Sequence, residues 1–113
     1  MKETLNISCV QVAVDAREGT IDQAFATYSG KMTTALTARK TALHNAWGIT
    51  DATARKSARD AAWTAYKTAA KAAHTELKTT KQKAWSDFKT ASKACHVPVV
   101  ESQSVSTGDT ISL

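Results

Sequence analysis

Proline occurs once in the 113 residues, at Pro98, and glycine four times. A chain that reverses direction often needs more of both, so few turns are expected. Aromatic residues are as scarce: three Trp, two Tyr and two Phe. The apolar fraction is an ordinary 42%, but much of it is alanine, which buries little area. Thin packing of helix on helix is therefore expected in place of a thick globular core. No apolar run is long enough to span a bilayer. Met1-Lys2 is followed by Glu3 and Thr4, so no signal peptide opens the sequence. The expectation is a cytoplasmic protein, or a mature form whose leader has been removed.

The elements of common active sites are missing too. There is no HxxxH, HExxH or CxxC, and no glycine-rich phosphate loop. Cys95 and His96 are adjacent, and adjacent helical residues point about 100° apart, so they cannot face one another. His74 and His96 alternate with Trp63 and Trp85 and read as packing residues at the edge of an interface, while His44 stands alone. The carboxylates show no buried pair suited to acid/base work. Neither an enzyme nor a cofactor or metal is expected.

What the sequence does contain is a repeat. "TARKTALHNAW" (37–47) and "TARKSARDAAW" (53–63) share seven of eleven positions. "TAYKTAAKAAH", "TELKTTKQKAW" and "SDFKTASKACH" continue it to His96, and "DAREGTIDQAF" and "ATYSGKMTTAL" precede it. Eleven residues make three turns at about 3.67 residues per turn, which marks long, nearly straight helices rather than strands. Val14, Phe25, Leu36 and Trp47 share one register, each preceded by an alanine. With Val10, Ile21, Met32 and Leu43, and with Arg17, Tyr28 and Arg39 in the gaps, they form a 3-4-4 stripe expected to face the core. Tyr66, Leu77 and Phe88 mark the second half, flanked by Ala69, Ala73, Ala84, Ala91 and Cys95.

Five residues, "GITDA", interrupt the period after Trp47. Gly48 suits a left-handed cap, and Thr50 or Asp51 can cap a following helix. The fold expected is all-α: a long antiparallel helical hairpin of hendecad (11-residue) repeats with a non-helical C-terminal tail. An N-terminal segment occupies 1–8 and the hairpin 9–96. Helix one covers 9–47, the turn 48–50, helix two 51–95, and the tail 97–113 follows, with Val97-Pro98 ending the second helix. The hairpin brings Asp15, Glu18 and Asp22 opposite Lys78, Lys81, Lys83 and Lys89.

Both cysteines then lie far from the turn, at the same end of the hairpin, and a Cys9–Cys95 disulfide is expected. It would place the protein outside the cytoplasm; reduced cysteines would leave it cytoplasmic. "CVQVAVDARE" (9–18), the recurring Ala-Trp pairs and the closing "ASKAC" (91–95) resemble small secreted alanine-rich helical proteins of uncharacterised environmental bacteria, chiefly candidate-phyla lineages. That resemblance implies secretion and a structural role, and carries no activity.

Three surface features remain. Lys56, Lys67, Lys78 and Lys89 form a basic stripe recurring at roughly 16 Å, with Lys71 and Lys93 beside it. The net charge of +5 and pI near 9.4 permit nucleic-acid binding without requiring it; a solvated edge is the plainer reading. Opposite the core run Thr53, Thr64, Thr75 and Ser86, with Ser57, Thr68, Thr79 and Thr90 alongside. Threonine is a mediocre helix former, and small side chains let another helix approach, so this face is expected to bind copies of the chain. The tail is expected to dock in a neighbour by strand pairing or in a groove. Asn6 opens a weak "NIS" glycosylation sequon. The function expected is a non-enzymatic, secreted or cell-surface hairpin that self-assembles into a filament or pilus-like fibre. The alternatives are a basic nucleic-acid-binding protein and a monomeric hairpin that binds another protein.

Overall fold

A computed structural model describes residues 5–96. The tail at 97–113, with its expected docking, and residues 1–4 lie outside the described residues. Two helices carry the chain: α1, Ile7–Trp47, and α2, Ala52–Ala94. They form the expected antiparallel helical hairpin. The N-terminal segment is shorter than expected, because α1 begins at Ile7 and not at residue 9. Asn6 is the reason: its Oδ1 accepts the Cys9 N–H at 3.0 Å and its carbonyl accepts the Val10 N–H at 3.1 Å, the arrangement of an N-cap.

Between the helices, Gly48 does not take the left-handed conformation expected of it, since no glycine among the described residues has positive φ. The Gly48 N–H donates to the Asn45 carbonyl and the Ile49 N–H to that of Ala46, both at 3.1 Å. The last turn of α1 therefore tightens to i→i+3 bonding and releases the chain without a left-handed residue. A Cβ at Gly48 would lie 3.3 Å from the Asn45 carbonyl oxygen, so close approach, not positive φ, is the constraint there. Of the two candidate caps, Asp51 is the one used. Its Oδ2 accepts the Ala54 N–H at 2.8 Å and its carbonyl accepts the Arg55 N–H at 2.9 Å. Thr50 offers its carbonyl instead, at 3.4 Å from Arg55 Nη1, which also donates to the Ile49 carbonyl at 3.1 Å. The left-handed residue sits at the other end of α2, at His96, with φ 64°.

The hairpin comprises two compact units. The turn unit is Phe25–Leu77. In it the buried residues are Ala35, Ala46, Ala62, Ala73 and Leu77. The disulfide unit pairs residues up to Ala24 with those from Lys78 onward. Ala13, Ala24, Ala84, Phe88, Ser92, Cys95 and the buried Lys81 form its interior.

The periodicity is as expected, but its centre is shifted by one residue. Phe25, Leu36 and Trp47 are exposed by 39%, 42% and 62%, whereas the alanine before each is buried. The buried column on α1 is Ala13, Ala24, Ala35 and Ala46; on α2 it is Ala62, Ala73, Ala84 and Cys95. Both columns step by eleven. Bulky residues between the helices would hold the backbones apart, since the side chains at the contact set helix separation. Alanine occupies the seam, and the larger side chains cover its margin. Leu77 and Phe88 are the exceptions, each worth about 1.5–3 kcal/mol of apolar burial.

Candidate functional site

The turn unit carries two guanidinium–aromatic contacts on its margin. The Arg39 guanidinium lies 4.6 Å from the Trp63 ring centre and 4.4 Å from that of Tyr66. At the end of α1, Arg59 and Arg55 approach the Trp47 ring at 4.7 and 5.8 Å. Farther from the turn than Arg39 and Trp63, Tyr28 and His74 meet edge to face, with Oη and Nε2 3.0 Å apart. Lys31 and Glu76 form an ion pair between the helices. Lys56 Nζ pairs with Asp60 Oδ2 at 2.8 Å, and this hydrogen bond, with the lysine charge, lowers the fully exposed Asp60 carboxyl below its ordinary value.

The disulfide unit repeats the same contact. Arg17 is 4.3 Å from the Trp85 ring centre and 4.4 Å from that of Phe88. Its side chain is 11% exposed. Arg17 Nε donates to Glu18 Oε2 at 2.9 Å, while Nη1 is buried with no oxygen or nitrogen acceptor among the described residues. The ring faces receive the charge instead, a cation–π arrangement worth about 2 kcal/mol when desolvated. Trp85 Nε1 is also buried without an acceptor. A groove of about 180 Å³ runs beside Arg17, walled mainly by Ala13, Ala16, Ala84 and Ala91, with Thr20 and Asp87 as its other polar lining. Methyl walls without convergent polar groups do not make a ligand site.

Cys9 and Cys95 are joined, with Cα atoms 5.6 Å apart. The Asn6 N–H donates to the Cys95 carbonyl at 3.1 Å, so a backbone bond and the sulfur bridge tie the same two chain segments. The sequon asparagine is thus also a helix cap.

The expected assembly face is exposed in both units. Thr53, Thr64, Thr75, Ser57 and Thr68 are exposed in the turn unit, and Ser86, Thr79 and Thr90 in the disulfide unit. Thr90 Oγ1 donates back to the Ser86 carbonyl at 3.3 Å. The stripe lysines Lys56, Lys67, Lys78 and Lys89 are exposed as well. Of the acidic and lysine residues expected opposite one another, Glu18 pairs with Arg17 on its own helix and Lys83 with Asp87 on its own helix at 2.8 Å.

The arginines are the functional candidates that sequence reasoning passed over. Their signal is a mirror: Arg17 meets Trp85, Tyr28 meets His74 and Arg39 meets Trp63, each pair symmetric about position 51. Among the described residues no group of three or more His, Cys, Asp or Glu is placed to hold a metal ion, and no helix is long and apolar enough to cross a membrane. No protein-family model, curated protein or solved structure matches the chain.

Proposed function

We propose that this chain is a non-enzymatic structural protein of the cell exterior, which associates with copies of itself into a filament or pilus-like fibre. One observation carries the reading: the hairpin's own seam is filled by alanine, while two further columns of small hydroxylated residues remain exposed on α2. Lysine or glutamate would suit a helix face that meets only water. Threonine and serine there favour close contact with another helix, and the eleven-residue period repeats that contact. A cross-link between Cys9 and Cys95 suits an oxidising compartment.

Sedimentation of the oxidised protein tests this. The parent is expected to form large particles at neutral pH. The pair Thr64→Arg and Thr75→Arg, both at exposed positions of the turn unit, is expected to give a helical monomer. A parent that stays monomeric at high concentration would overturn self-assembly.

A further inference from the structure

Positive charge is greater in the turn unit than in the disulfide unit, whose described residues hold six Lys and Arg against Asp15, Glu18, Asp22 and Asp87. Between Phe25 and Leu77 stand eight Lys and Arg against Asp51, Asp60 and Glu76. The turn unit thus holds an excess of five, equal to that of the whole chain. All three of its carboxylates are engaged, Asp51 as a helix cap, Asp60 with Lys56 and Glu76 with Lys31.

The same unit displays its aromatic side chains. Trp47 is 62% and Trp63 43% exposed, far more than a buried packing role requires. Each indole has a guanidinium over it: Arg59 at 4.7 Å on Trp47 and Arg39 at 4.6 Å on Trp63. Trp47 is level with Arg55, eight residues from Trp63 along α2, or about 12 Å at 1.5 Å per residue.

We propose that the turn unit binds single-stranded nucleic acid, its excess lysines and arginines holding phosphates while bases stack on Trp47 and Trp63. Charge alone would suit any polyanion. The exposed indoles, pre-set beside cations, favour a partner that has both phosphates and free ring faces, and a duplex hides those faces within its stack. Stacking on an aromatic side chain is tolerant of sequence, so little base preference is expected. Lys67 and Lys71 stand within one helical turn of Thr64, Thr68 and Thr75, so this surface borders the Thr/Ser columns, and self-association is followed separately in the test.

The test uses the oxidised full-length protein and fluorescein-labelled oligothymidylate, followed by anisotropy, with dextran sulfate and duplex DNA as competitors. With about five phosphate contacts and a slope near −0.7 each, raising salt from about 50 to 200 mM should weaken binding about 100-fold. Trp47→Ala should cost about tenfold or more for the oligonucleotide and leave dextran sulfate competition within twofold. Trp47 is the last residue of α1 and mostly exposed, so the fold should survive. Lys67→Gln with Lys71→Gln, on the exposed surface of the same unit, should weaken binding and flatten the salt slope. Lys89→Gln with Lys93→Gln, in the disulfide unit, should change affinity less than twofold. Absence of oligonucleotide binding at about 50 mM salt would overturn the proposal. So would unchanged affinity of the tryptophan variant, or equal effects from the two lysine pairs, because either would leave only diffuse attraction to polyanions. Sedimentation of the same samples reports self-association independently.

Discussion

Alanine and arginine are the residues that define this interface. A buried methyl contributes little area, yet Ala73 is 2% exposed and so close to its surroundings that nothing larger fits without displacement. Ala73→Leu is therefore expected to destabilise the protein by about 1–3 kcal/mol through overpacking. Its exposed neighbour Ala72 takes the same change with an effect within about 0.5 kcal/mol. Urea denaturation followed by circular dichroism separates the two; equal effects would mean that Ala73 does not lie at the seam. Arg17 and Arg39 reverse the usual rule that arginine marks a surface. Their guanidiniums lie over aromatic rings, which lets a charged residue occupy a stripe position beside the alanine column.

At the scale of the elements, the ends of the helices are specified by side chains more than by glycine. Asn6 caps α1 and Asp51 caps α2. Asp51→Ala should cost about 1 kcal/mol, and hydrogen exchange should show the loss as faster exchange at the first amides of α2. Thr50→Ala should leave those amides unchanged, because Thr50 contributes only its carbonyl, to Arg55. The helices themselves were legible in the sequence, since three blocks before the break and four after it each keep an eleven-residue period. Their exact ends were not: Gly48 suggested a left-handed stop, but backbone bonds from Gly48 and Ile49 to Asn45 and Ala46 achieve the exit with ordinary φ.

For the molecule as a whole, the closure between Cys9 and Cys95 spans 86 residues of sequence. In the chain-entropy account such a loop contributes about 4–5 kcal/mol at 25 °C. Reduction is expected to lower the urea midpoint accordingly. The loss of amide protection should be concentrated in the disulfide unit, at 5–24 and 78–96, with the turn unit less affected. Unchanged midpoints with and without reductant would show that the bridge does not constrain the unfolded chain.

The period, the break after Trp47 and the positions of the two cysteines determined the helical hairpin without any tertiary information. A repeat of eleven matches three helical turns, and five residues out of phase demand a reversal or a slip. The sequence could not say which column of the stripe is central, because Ala24 and Phe25 are neighbours and a rotation of one residue exchanges them. Hydrophobicity favoured the larger side chain. The structure decided for the smaller, because two helices pack closely only where small residues meet, and the aromatic rings move to the margin. There they meet arginines on the opposite helix, a pairing between residues as distant in sequence as Arg17 and Trp85 that only the antiparallel register creates.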